Sequence, residues 1–128
     1  MQLDSPQLTD PGVRRALSRG HLIDLTTKGR KSGLPRRIEI VFHAIDDRVV
    51  ISGMPRRQPR AWLLNIRANP AVVFHLKSIV TADLAATAHE VTDPTDRRYL
   101  MERVAANWGR ADVDVMMEHS PLVEVAFD

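Results

Sequence analysis

The densest cluster of chemistry-bearing side chains lies in residues 26–37, where Lys28, Arg30, Lys31, Arg36 and Arg37 surround Gly29 and Gly33. Cations around a glycine-bearing turn are suited to holding an anion. Arginine pairs bidentately with phosphate and carboxylate, and the N–H groups of a tight turn form an anion-binding concavity. The same residues also describe a solvated, positively charged turn. A second stretch runs from Ser52-Gly53-Met54 through Pro59, Trp62 and Asn65 to Asn69-Pro70. On physical grounds alone it reads as a loop followed by an amphipathic helix whose Trp62 fills the core.

Other chemistries lack their residues. There is no cysteine, which removes disulfides, thiolate nucleophiles and cysteine-bound metal. The five histidines (21, 43, 75, 89 and 119) show no i, i+4 pair, so no metal site is expected. Ser32 and Ser52 have no Gly-x-Ser-x-Gly context, and Gly29–Gly33 is too short for a phosphate-binding loop of the Walker type. A dinucleotide fingerprint is also missing.

These stretches need a scaffold. A chain of 128 residues with 44% hydrophobic and 27% charged content suits one soluble domain, residues 1–128. Residues 1–10 are expected to form a flexible arm. Asp10 and Pro11 open a short helix that ends before Gly20. Strands are expected over His21–Thr27, Pro35–Ile45, Arg48–Ser52, Ala71–Leu76, Ile79–Thr92 and Pro121–Phe127. Turns separate them at residues 28–34, Asp46-Asp47 and Lys77-Ser78. A helix spans Pro59–Asn69, with Trp62, Leu63 and Ile66 on one face. Another follows the Asp93-Pro94 cap to about Asn107, with Leu100, Val104 and Tyr99 inward, and a short one lies near Ala111–Glu118. Five or six strands in hairpins, with accessory helices, suit a mainly β (α+β) small barrel.

The net charge is only +2, yet ten of the eighteen lysines and arginines lie between Lys28 and Arg67 (28, 30, 31, 36, 37, 48, 56, 57, 60 and 67). Such local charge suits a small anionic ligand better than a polyanion coat. No apolar run is long enough for a membrane span, and Met1–Gly12 has no signal-peptide core, so a cytoplasmic protein is expected.

Gly29-Arg30-Lys31-Ser32-Gly33 followed by Pro35-Arg36-Arg37, and then Pro59-x-Ala-Trp62-x-Leu-Asn65-x-x-Ala-Asn-Pro70, resembles the deazaflavin-dependent nitroreductase family. That family is a branch of the split β-barrel, FMN-binding-like oxidoreductases. The resemblance covers residues 21–76 well, fits the last strand, and fits 77–120 only in outline. It implies coenzyme F(420), a deazaflavin with a phosphodiester and an oligoglutamate tail. It assigns phosphate and tail contacts to Arg30, Lys31, Ser32 and Gly33, and to Arg36 and Arg37. Ser52, Gly53 and Met54 would border the ring, flanked by Pro59, Trp62 and Asn65. The cofactor does the hydride chemistry, so no catalytic side chain is assigned. The expected acceptor is a small molecule: an activated alkene, a quinone or a nitro compound. Homodimers are common in such barrels, and one is expected here. The chain departs from the family in one respect. Members that reduce bulky nitroaromatic compounds carry tyrosines before the last strand, and Trp108–Met117 holds none.

Three other readings compete. The barrel could hold FMN instead, since both cofactors are anionic. It could be a non-catalytic carrier of a flavin, lipid or tetrapyrrole. A single-stranded nucleic-acid barrel fits least, because no aromatic lies within the basic turn.

Overall fold

Apolar residues alternate along six segments, and the computed structural model, which describes residues 6–128, closes those segments into a barrel. The strands are β1 (Leu22–Lys28), β2 (Pro35–Ile45), β3 (Arg48–Ser52), β4 (Ala71–Leu76), β5 (Ala82–Glu90) and β6 (Leu122–Phe127). They run β1-β2-β3-β6-β5-β4, with β4 pairing back on β1, and every neighbouring pair is antiparallel. The helices are α1 (Pro11–Leu17), α2 (Ala61–Ala68), α3 (Pro94–Asn107) and α4 (Val113–His119).

Strand parity separates two cores. Ile23, Leu25, Phe42, Ile51, Phe74 and Phe127 point inward and are fully buried. Phe42, Phe74 and Phe127 meet edge to face, with ring centroids 5.2 and 5.3 Å apart. Leu8, α1 and α2 complete this inner core. The opposite parity places Ile45, Val50 and Leu122 on the outside, where α3 and α4 cover them with Leu100, Met101, Val104 and Met116. This second core explains why Val49, Val50, Ile51 and Ser52 are all buried: β3 is covered on both faces.

Local rules account for the element ends. Asp10 caps α1 by accepting from the Gly12 N–H at 3.0 Å, and Asp93 caps α3 through the Asp96 N–H at 2.9 Å. The β2–β3 hairpin turns on Asp46 and Asp47, both at positive φ (50° and 61°), the conformation that a two-residue hairpin requires.

Three expectations change. The free arm over residues 1–10 does not hold from residue 6 on; residues 1–5 lie outside the described residues. Pro6–Leu8 forms a 3-10 turn, Leu8 is fully buried, and the Gln7 amide bonds the backbone of Ala85 and Asp128. The long β5 begins at Ala82, not Ile79, because Ile79 is exposed and pairing with β4 starts at Leu76–Ala82. Tyr99 does not point inward. The buried stripe of α3 is Leu100, Met101, Val104 and Ala105, while Tyr99 lies under the Arg103 guanidinium and donates to Asp46. No helix among the described residues is long and apolar enough to cross a membrane.

Candidate functional site

Gly33 has φ +71°, which favours glycine, and its N–H donates to the Gly29 carbonyl at 2.8 Å. Gly29 donates to Leu34 O at 2.8 Å, and a Cβ on it would fall 2.7 Å from Ser32 Oγ. The Leu34 N–H is taken by Ser32 Oγ at 3.1 Å. These bonds fold residues 29–34 into a tight β1–β2 turn.

Asn65 fastens that turn to α2. It is 4% exposed. Its Oδ1 accepts from the Arg30 N–H at 3.1 Å and from Arg30 Nη1 at 3.2 Å, and its Nδ2 donates to Thr27 Oγ1 at 3.1 Å. Every polar atom of the Asn65 amide group therefore serves the turn. Among the described residues, the amides of Lys31 and Ser32 are the turn N–H groups left without an acceptor.

The cations of the turn differ in their partners. Arg37 Nε donates to Asp24 at 3.0 Å, and Asp24 also accepts from Lys77 at 2.7 Å. Lys77 first, and Arg37 second, hold the Asp24 carboxyl below the usual carboxylate range. Lys28, Lys31 and Arg36 have no side-chain partner among the described residues. Of these, Lys31 and Arg36 border the cleft beside α2, while Lys28 borders a neighbouring groove.

Between this turn and α2 lies a cleft of about 360 Å³ at the barrel mouth. Arg30, Lys31, Ser32, Arg36 and Arg37 border it on the basic side; Ile38, Ala61 and Trp62 supply an apolar wall, with Asn65 beneath. Trp62 is 7% exposed, so it serves the core and the cleft together. No carboxylate or imidazole lines the cleft. Such a site can bind and orient an anionic, partly aromatic molecule, and it has no general acid or base of its own.

The structure gathers seven of the twelve residues expected from sequence in this cleft: Arg30, Lys31, Ser32, Arg36, Arg37, Trp62 and Asn65. Gly33 borders the neighbouring groove beside Val72 and Asn69. Ser52 is buried, and its hydroxyl donates to Pro121 O at 2.5 Å. Gly53 lies under the Arg60 guanidinium, and Met54 O accepts from Arg60 Nη2 at 2.7 Å. Pro59 borders a different pocket, on the other side of α2. Thr27, Gly29, Ile38 and Ala61 also line the cleft and are not among those twelve. For Thr27 and Ile38 the signal exists. They continue the inward alternations Ile23-Leu25-Thr27 and Ile38-Ile40-Phe42 to the barrel mouth. Among the described residues no group of histidines and carboxylates could hold a metal ion.

A family model described as F(420)H(2)-dependent quinone reductase matches residues 5–124. The chain belongs to that family. The resemblance to deazaflavin-dependent oxidoreductases seen in the two signatures therefore holds, and the family's description names a quinone, not a nitro compound, as acceptor. Several solved structures share the fold. An F(420) reductase is 19% identical, covers 94% of this chain and 96% of its own, and superposes with a TM-score of 0.67. An F(420)-H2 dependent reductase (FDR-A) is 17% identical, with 82% and 93% covered and a TM-score of 0.63. A structure described as a domain-swapped dimer is also 17% identical, with 82% and 79% covered and a TM-score of 0.63. At these identities the likeness shows the fold, a six-stranded antiparallel barrel of the split-barrel type with helices around it. This member of the F(420)H(2)-dependent quinone reductase family thus carries its basic turn and its tryptophan-bearing helix on opposite walls of one cleft.

Proposed function

We propose that the cleft between the β1–β2 turn and α2 binds reduced coenzyme F(420) and that the protein is an oxidoreductase acting on a small organic acceptor of the quinone class. The observation that carries this is the pair of unpartnered cations, Lys31 and Arg36, beside the unpartnered amides of Lys31 and Ser32, in a turn held rigid by Asn65. A merely structural turn would have its charges paired or turned to solvent away from a cleft.

The residues fit the cofactor's chemistry. Arg36 and Lys31, with the free turn amides, would hold the phosphodiester and the first tail carboxylates by charge-assisted hydrogen bonds. Trp62, Ile38 and Ala61 would present an apolar wall to the deazaflavin ring and keep water from it. When bound, the reduced deazaflavin supplies a hydride. No protein group at the cleft is placed to deliver the accompanying proton, so it comes from solvent. Gly53 and Met54, at the end of β3, would border the acceptor side, with Arg60 keeping their backbone in place. Homodimerisation belongs to the same proposal and is supported by the dimeric structural neighbour. Leu22 and its register partner Val41 leave an exposed apolar pair on the outside of the barrel.

Side-by-side titration with F(420) and FMN tests the reading, followed by a turnover assay with reduced F(420) and a soluble benzoquinone. Tighter binding of F(420), with quinone-dependent oxidation, is expected. Binding of FMN alone, or of neither cofactor, would contradict it.

A further inference from the structure

On the other face of α2 lies a pocket of about 130 Å³, bordered by Arg60, Leu63 and Arg67, by Arg56 and Arg57 of the preceding loop, and by Ser120. Its volume is about a third of the cleft's, enough for a small oxyanion and too little for a flavin-sized ring.

The charges around this pocket do not balance. Arg67 is paired through two bonds with Glu90, at 2.9 and 2.8 Å. Arg97, which also borders it, donates to the carbonyls of Val91, Met117 and Ser120. Glu118 reaches only His119, at 3.5 Å. Arg56 and Arg57 have no side-chain partner among the described residues. Arg60 has one carbonyl, Met54 O at 2.7 Å, and its guanidinium packs so closely on Gly53 that a Cβ there would fall 2.7 Å from Cζ. Burial, and then the like charge of Arg56, push the Arg60 guanidinium below its usual basicity. Four of the five arginines at the pocket are therefore left without a carboxylate, and of these only Arg97 has its guanidinium taken up by several carbonyls.

Two further features lie at the same place. α2 starts without a side-chain cap and without an acid in its first turn. Its Leu63 and Leu64 amides return to Arg60 O, which leaves those of Ala61 and Trp62 without an acceptor among the described residues. Ser120 is 5% exposed, and its hydroxyl is buried with no partner among the described residues. A buried hydroxyl without a partner costs free energy, and turning this side chain toward the pocket would recover it against a bound acceptor.

We propose that this pocket is a second anion site, separate from the cleft, that takes a phosphate- or carboxylate-bearing small molecule through Arg56, Arg57, Arg60 and the Ser120 hydroxyl. The site does not depend on the assignment of the cleft to a deazaflavin. The two meet at α2, whose opposite faces they use, and at Arg60, which also holds Met54 O.

Thermal melts in sodium phosphate and in sodium chloride at matched ionic strength test it, in a Lys31→Ala/Arg36→Ala background that silences the turn. Phosphate in large excess over its dissociation constant is expected to raise the melting temperature by about 2–5 °C. Adding Arg56→Ala and Arg57→Ala should abolish that rise while leaving the melt in chloride nearly unchanged. Ser120→Ala should reduce the rise without lowering the melt in chloride. No phosphate response in the silenced background, or a response that survives loss of Arg56 and Arg57, would overturn the proposal. A repeat on the wild-type protein saturated with F(420) separates the two sources of anion. A phosphate response that persists supports an independent ligand. One that vanishes would overturn the separate ligand and assign the site to the cofactor's own tail.

Discussion

Arg36 in the β1–β2 hairpin and Arg48 at the start of β3 carry the same charge and have opposite surroundings. Arg48 forks onto two carboxylates, Asp96 at 2.8 Å and Glu124 at 2.6 and 2.9 Å, and so ties β3 to α3 and β6. Arg36 has no carboxylate and faces a cleft with an apolar opposite wall. A cation forked onto two carboxylates inside the fold holds the fold. A cation left unsatisfied at a concave site is available for a ligand. The partners of each arginine, and not the basic run itself, separate charge used by the fold from charge left free at the cleft.

Removing the two free cations that border the cleft should have the largest effect. Lys31→Ala with Arg36→Ala should weaken F(420) binding by at least about 100-fold, since each charge-assisted hydrogen bond contributes about 1.5–3 kcal/mol. Unfolding free energy should change by less than about 0.5 kcal/mol, because both side chains are exposed. Calorimetric titration and denaturant melts measure the two halves of this expectation. Unchanged affinity would make Arg36 no different from any solvated arginine.

Arg48→Met should show the reverse pattern. It leaves two partly buried carboxylates unpaired and should cost about 1–3 kcal/mol, between the values for exposed and buried pairs. Cofactor affinity should stay within about twofold of wild type, since the contact lies outside the cleft. Arg48 holds both the Asp96 and the Glu124 carboxyl below their usual range. A depressed carboxylate contributes stability above its unfolded value and loses it as pH falls. The advantage of wild type over the variant should therefore be full at neutral pH and shrink once pH drops below the ordinary glutamate value of 4.5. A difference in melting that is the same at all pH values would contradict this.

Asn65→Ala falls between the two. It removes three hydrogen bonds that lock the turn and leaves Thr27 and the Arg30 amide unsatisfied, so about 1–2 kcal/mol of stability and about tenfold in affinity should be lost together. Loss of stability with wild-type affinity would show that the turn does not need its latch in order to bind.

The smallest effect belongs to His43, which is buried beneath Trp108 with Asn107 as its partner. Burial lowers its basicity, so the folded state resists a proton that the unfolded chain accepts. Stability should begin to fall as pH drops below 6.5, by at most about 1.4 kcal/mol per pH unit. His43→Leu should flatten that slope in melts between pH 7.5 and 5. A variant with the wild-type slope would remove His43 as its source.

Much of this contrast was legible in the residues. β2, β3, β4 and α3 have the boundaries that their alternation, turns and caps imply, because these signals are local. The basic turn and Trp62 were legible as a pair through two spaced signatures, although Ser32 and Trp62 lie far apart in sequence and only folding brings the walls together. What was not legible depends on partners distant in sequence. Nothing in Ser52 announces that Pro121 takes its hydroxyl, and nothing in Asn65 announces that Arg30 takes its amide oxygen. Tyr99 departs from the expected inward face for the same reason: its place beside Arg103 and Asp46 is set by which stripe of α3 meets the second core.

The most direct test of the anion site at the turn is a residue-resolved footprint, in which F(420) is titrated into isotope-labelled protein and amide resonances are followed by NMR. The largest shifts are expected at the Lys31 and Ser32 amides and the Trp62 indole, with little change at Arg48 or its partners. Shifts that leave the turn silent, or that gather around Arg48, would contradict the account.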